Sequence, residues 1–232
     1  MIMVAADTST PSPSVAFGRV PGESVGRSLD PGRPHSETLL PAIDGLLRDS
    51  GVGRESVQAL AIGTGPGMFT GLRVGLATFQ GWAYTAGLPI VPVPSLDALA
   101  WPYILEGRKT LVVSDARKGE IYAALYAGLG EDGLPLLQRA VALVRPAGLR
   151  EWLGGTAVPG TVALGTGLDL AAPGLEGLGG IKPLPDACPY PMAVHVLDIA
   201  WRLLDLDRTV SPSELKPTYV RPPDAIPATG RK

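Results

Sequence analysis

The chain has 232 residues and a formal net charge of −2, with Gly 30 and Pro 24 spread between apolar segments rather than massed in one tract. That length makes one large domain or two small ones with ample chain for a core, and the near-neutral balance supplies no global field to draw the protein onto nucleic acid or an anionic membrane. If RNA is involved, another protein supplies the charge. A single cysteine, Cys188, excludes an internal disulfide and a multi-cysteine metal site, fits a reducing cytoplasm, and is expected as a small apolar filler.

The N-terminal segment reaches Asp7 too soon for a signal peptide, and residues 74–96, though free of formal charge, are broken by Gln80, Pro89, Pro92 and Pro94. A soluble chain is expected. Residues 2–6 and 14–20 read as strands around a turn at Asp7, and residues 23–29 as a weaker third strand. A helix follows with Leu39, Leu40, Ile43, Leu46 and Leu47 on one side, closed by Gly51, and Pro41 predicts that its first turn is irregular or that it starts there. Residues 57–62 form a short apolar run of the kind expected in a buried parallel strand.

The next segment, Gly65-Pro66-Gly67-Met68-Phe69-Thr70-Gly71-Leu72-Arg73, is a glycine-rich turn opening a helix, the usual recipe for holding an anion. A Walker A loop needs Lys and then Ser or Thr after its last glycine, and here Leu72 and Arg73 follow Gly71. The spacing of Gly63, Gly65 and Gly67 also fails the dinucleotide fingerprint. Thr70 is the expected N-cap and Gly87 the expected stop.

This helix has almost no polar side. Gly71, Gly75, Thr78 and Trp82 fall on one stripe and Leu72, Leu76, Phe79 and Ala83 on the next, while Arg73, Gln80 and Tyr84 offer the only wet positions. Either the helix is sandwiched inside its own domain, or its outer face meets a second protein. Leu39, Ile43, Gly71, Leu72, Gly75, Leu76, Thr78, Phe79 and Trp82 are the candidate partner-interface residues.

A strand at 90–93 and a helix at 95–105 complete a ribonuclease H-like plan. The second half begins that plan again: Leu111-Val112-Val113-Ser114-Asp115-Ala116 places an Asp at a strand end as Met3-Val4-Ala5-Ala6-Asp7-Thr8 does. Strands at 121–126, 136–144 and 161–164, a helix at 146–153 and a long closing helix at 192–206 follow. The expected fold is α/β, a duplicated ribonuclease H-like (actin-like ATPase) fold, with subdomains at 1–106, carrying the partner-binding helices, and 107–232, ending in a proline-rich tail.

Several motifs occur together in one order: Asp7-Thr8-Ser9 with Ser14-Val15-Ala16, His35-Ser36 with Leu39-Leu40-Pro41, the segment from Gly65 to Arg73, Ser95-Leu96-Asp97-Ala98-Leu99 and Asp115-Ala116-Arg117. Most of residues 1–126 therefore resembles the TsaB family, also called YeaZ, and the likeness returns at Pro217-Thr218-Tyr219-Val220-Arg221. The resemblance implies duplicated actin-like halves and a noncatalytic role in the bacterial machinery that places threonylcarbamoyl on adenosine 37 of tRNAs reading codons that begin with A. It implies a TsaD-type catalytic partner, with a TsaE-type ATPase and tRNA joining only through the complex, and no cofactor of its own.

The catalytic relative holds a metal with two histidines four apart, where this chain reads Ser95-Leu96-Asp97-Ala98-Leu99. Leucine donates no lone pair, and His35 and His195, the only histidines, lie in different expected helices, so no metal residues are assigned. Asp7, Asp115, Gly165 and Gly167 are weak nucleotide candidates; an Asp ending a strand is more often an ordinary turn residue, and weak or absent ATP binding is expected. The alternative is a stand-alone actin-like ATPase or glycoprotease-like metallopeptidase. An exposed apolar helix awaiting a partner also suggests a homodimer.

Overall fold

The structure is a computed structural model and describes residues 1–154 and 159–221. An antiparallel meander of β1 (Met3–Asp7), β2 (Ser14–Val20) and β3 (Glu23–Ser28) leads into α1 (His35–Asp49), β4 (Ala59–Gly63), α2 (Phe69–Ala86), β5 (Ile90–Val93) and α3 (Ser95–Leu105). Its sheet runs β3-β2-β1-β4-β5, with β4 parallel to β1 and β5 parallel to β4. The same plan returns in β6 (Thr110–Arg117), β7 (Glu120–Leu129), β8 (Pro135–Val144), α4 (Leu149–Leu153), β9 (Thr161–Leu164), α5 (Leu168–Leu175), β10 (Ile181–Pro183) and α6 (Ala193–Asp205). This sheet runs β8-β7-β6-β9-β10 with the same senses, so the molecule is a duplicated ribonuclease H-like, actin-like α/β fold.

Alternation along the strands builds five layers. Val4, Ala6, Leu60 and Ile62 point from the first sheet toward α1 and α2, meeting Leu39, Ile43, Leu72, Leu76 and Phe79. The intervening Met3, Ala5, Ala59 and Ala61 point the other way, onto Val196, Leu197 and Ala200 of α6. Small alanines on that face let the helix lie close. Leu96, Leu99 and Ile104 of α3 cover the second sheet at Val112, Ala124 and Tyr126, and the last layer packs Leu111, Val113 and Ile121 against α4 and α5. The connection at 106/107 separates the two sheets, yet the closing helices cross it: α3 packs on β6 and β7, and α6 on β1, β2, β4 and β5.

Four local expectations are corrected. Helix α1 starts at His35, not at Pro41, which lies inside it on an exposed face where its ring and missing N–H disturb only the solvent side. Thr70 is not an N-cap: α2 opens at Phe69 behind Met68, whose amide donates 2.7 Å to the Ser9 carbonyl, so the entry is set by backbone pairing. Cys188 is exposed rather than a core filler. The chain also forms α5 and β10, two elements that the sequence pattern leaves out. Residues 222–232 of the proline-rich tail lie outside the described residues.

Candidate partner interface

The glycine turn is occupied by its own chain. Gly65, at φ 94°, lies two residues past the end of β4, and its amide donates 3.0 Å to Ser95 Oγ, which in turn donates 2.6 Å to Oδ2 of the buried Asp7. Asp7 Oδ1 accepts from the Ser9 amide at 2.8 Å and from Ser9 Oγ at 2.6 Å. Burial raises the Asp7 carboxyl above its ordinary pKa, while the Ser9 and Ser95 hydrogen bonds pull it down. The glycines admit close neighbours: a Cβ on Gly63 would stand 1.9 Å from Asp7 Oδ2, and one on Gly67 2.2 Å from the Ser9 carbonyl. The amides of Gly65 and Met68, which a phosphate loop would turn to its ligand, are spent on Ser95 and Ser9.

The second half closes its corresponding turn by other means. Thr166 Oγ1 accepts from the Asp115 amide at 2.9 Å and lies 3.1 Å from Ser114 Oγ. A Cβ on Gly165 would stand 2.3 Å from the Val113 carbonyl, and one on Gly167 3.1 Å from the Ser114 carbonyl carbon. Gly165 and Gly167 thus lie against the end of β6. Asp115 is half-buried and turns Oδ1 to the Arg117 amide at 2.7 Å. Each nucleotide candidate has a structural task inside the fold.

No group of three or more His, Cys, Asp or Glu that could hold a metal occurs among the described residues. His35 begins α1 beside Gly71, whereas His195 lies in α6 with Nδ1 3.7 Å from Asp198 Oδ2. The position four before Leu99 is Ser95, engaged with Asp7.

Helix α2 has four distinguishable sides, as expected at 100° per residue. Leu72, Leu76, Phe79 and Ala83 enter the core of the first half, together with Leu39 and Ile43 of α1. The second side faces α1 and the β1–β2 turn: a Cβ on Gly71 would stand 2.3 Å from the Thr8 carbonyl, and one on Gly75 2.2 Å from Thr8 Oγ1. Thr78, half-buried, donates to the Val74 carbonyl at 2.8 Å, and Trp82, also half-buried, lies beneath the Arg54 guanidinium at 5.7 Å. Leu39, Ile43, Gly71, Leu72, Gly75, Leu76 and Phe79 are buried within the free chain by its own packing.

The third side belongs to the C-terminal segment. Gln80 Nε2 donates to the carbonyls of Pro212 at 2.9 Å and Leu215 at 3.0 Å, while Phe69 lies 5.9 Å from the Tyr219 ring and 3.8 Å from the Arg73 guanidinium carbon. Only the fourth side is open, where Thr70, Ala77, Gly81 and Tyr84 are exposed, Tyr84 at 82%. A Cβ on Gly81 would meet nothing within 4 Å. Tyr84 is a wet position in the sequence pattern, whereas Ala77 and Gly81 extend its apolar arc and are nonetheless exposed, because small apolar residues give no sign of which side they face.

Comparison with known proteins agrees with this architecture. The family model described as TsaD: tRNA N6-adenosine threonylcarbamoyltransferase matches residues 30–148. The Escherichia coli protein named tRNA threonylcarbamoyladenosine biosynthesis protein TsaB is 32% identical over 224 residues, covering 95% of each chain. A Haemophilus influenzae protein of the same name is 40% identical over 124 residues, an alignment that spans 53% of this chain and only 52% of that relative. Among solved structures, a Pseudomonas aeruginosa protein described as similar to the peptidase YeaZ superposes with a TM-score of 0.79 at 30% identity, covering 95% of this chain and 99% of that one. On these matches and the shared fold, the chain belongs to the TsaB (YeaZ) family.

Proposed function

We propose that this protein is the noncatalytic subunit of tRNA threonylcarbamoyladenosine synthesis and acts by binding and activating a TsaD-type catalytic subunit. The role in the pathway is supported by the names of the relatives, and the TsaD-type partner by the family-model match. The observation that carries the noncatalytic reading is the closed glycine turn: Asp7, Ser9, Ser95 and Gly65 satisfy one another.

Docking falls to the open side of α2, where Ala77 and Gly81 let a partner helix approach closely and Tyr84 supplies a large contact. The α1 and α2 residues beneath it, from Leu39 and Ile43 to Trp82, hold that side in place. The same side serves a homodimer when the partner is absent, and a TsaE-type ATPase and tRNA join through the complex. A cytoplasmic protein suits tRNA modification, and no described helix is long and apolar enough to cross a membrane.

Co-purification with a TsaD-type partner, scored for complex and for modified tRNA, tests the reading. Gly81→Trp and Ala77→Arg are expected to abolish both while leaving thermal unfolding within about 1 kcal/mol of the parent. Complex formation and modification undiminished in both variants would overturn it. Metal-dependent peptidase activity or ATP turnover by the lone chain would establish the enzymatic alternative instead.

A further inference from the structure

The segment after α6 is bound to both halves of the molecule. Val210 pairs with Ile90 at the edge of β5, its amide donating 2.8 Å to the Ile90 carbonyl. Gln80 of α2 holds the next turn through Pro212 and Leu215, and the Leu215 side chain is buried in the core between the first sheet and α1/α2. The Thr218 amide then donates 2.8 Å to the Thr64 carbonyl, at the start of the glycine turn.

Three residues later the segment is on the second half. Val220 packs against the α3-facing core of the second sheet. Arg221 Nη2 donates to the carbonyls of Ala116 at 2.9 Å and Arg117 at 3.2 Å, and lies 2.8 Å from Glu120 Oε2. Three extended residues span about 10 Å at most, so this short stretch bridges the glycine turn and the β6–β7 turn directly. That second turn is left-handed at Arg117, Lys118 and Gly119, with φ of 65°, 56° and 72°. Arg221 therefore grips carbonyls and a carboxylate on both sides of a turn whose backbone conformation L-residues seldom adopt.

We propose that residues 210–221 are a latch that fixes the β6–β7 turn of the second half to α2, so that occupancy of the α2 surface and order in that turn are energetically linked. Tyr219 is the connecting element: its ring meets Phe69, its hydroxyl lies 3.4 Å from Arg73 Nε, and it stands two residues from Arg221. A partner seated on the open side of α2 reaches this cluster at its border, since Phe69 and Tyr219 are each about half exposed. Linkage is reciprocal, so loosening the turn must weaken the partner's hold on α2. The latch stands on the geometry of the free chain; the linkage to a partner rests on the docking role proposed above.

Amide hydrogen exchange on the full chain, followed by titration with a TsaD-type partner, tests both. Arg221→Ala is expected to speed exchange at residues 116–121 at least tenfold, with central β1 and β4 unchanged, and to weaken the partner about fivefold or more. Truncation after Lys216 should reproduce both effects. Unchanged exchange in Arg221→Ala and in the truncated chain would overturn the latch. Faster exchange with undiminished affinity would overturn the linkage and leave the latch standing. Tyr84→Ala separates the two readings: it should weaken the partner without altering exchange at 116–121, and if the partner binds it undiminished the docking surface is wrong while the exchange result still decides the latch.

Discussion

The two halves share strand order and sense, but they spend the plan differently. Outside its sheet the first half lays two long helices, the fifteen-residue α1 and the eighteen-residue α2, whereas the second half has five residues in α4 and eight in α5 at the same places. Their signature aspartates diverge in the same way: Asp7 is buried with both oxygens satisfied, while Asp115 is half-buried and holds only its own turn. Duplication preserved the sheets, and the contrast lies in what each half offers to the outside. The first half presents helical surface; the second supplies a smaller body to which that surface is tied.

The sharpest way to break this contrast is to remove both aspartates in turn. Asp7→Ala strands the Ser9 amide, Ser9 Oγ and Ser95 Oγ as buried donors and should cost about 4 kcal/mol in chemical denaturation, whereas Asp115→Ala should cost about 1 kcal/mol or less. Equal losses would show that the halves use the two carboxylates alike.

Acidity gives the next largest effect. Asp97 of α3 accepts a 2.7 Å hydrogen bond from the buried Tyr126 of β7, and burial pushes its carboxyl up to about 6 against that hydrogen bond. Because the folded pKa exceeds the unfolded one of 3.8, the folded state keeps a proton the unfolded chain has lost, and stability declines as pH rises from about 4 to about 6. The contribution is about 3 kcal/mol for a shift of this size. Asp97→Asn should flatten the stability profile over this window; an unchanged slope would remove Asp97 as its source. Asp7, raised by burial, acts in the same direction.

The smallest effects come from glycines. Alanine at Gly71 would meet the Thr8 carbonyl at 2.3 Å and alanine at Gly174 the Pro146 carbonyl at 2.3 Å, so each should destabilise by about 2 kcal/mol, one in each half. Gly81→Ala faces open space and should instead stabilise by about 0.5–1 kcal/mol, read as a rise in Tm. A loss at Gly81 would mean that its surface is already covered, as in a homodimer.

Much of the fold was legible because strand alternation and helical periodicity are local. Every long element of the first half is written that way, as is the repeat at Asp115. Helix α5 was hidden by its own composition, since Pro173 and Gly174 lie inside it and it is held by packing against the turn at residues 146–148. The orientation of α2 was illegible for the opposite reason: apolar residues surround it, and which of them face the core depends on strands and turns distant in sequence. Ser95 reaches Asp7 across 88 positions, and Tyr219 reaches Arg73 across 146. Pairings of that range leave no periodic trace, which is why the closed turn and the latch emerge only in three dimensions.

The crossing of α3 and α6 has a consequence for how the chain is made. The alanine face of the first sheet is covered by α6, which comes from the far end of the sequence. A nascent chain that has emerged only through β5 holds a sheet with one side bare, and the layer remains incomplete until residue 205 is free. Contacts of such sequence separation slow folding and bind the two halves into one cooperative transition. Separating the chain at 106/107 would give two fragments that each lack a wall, so complementation between the fragments, rather than independent folding of either, is the behaviour this architecture encodes.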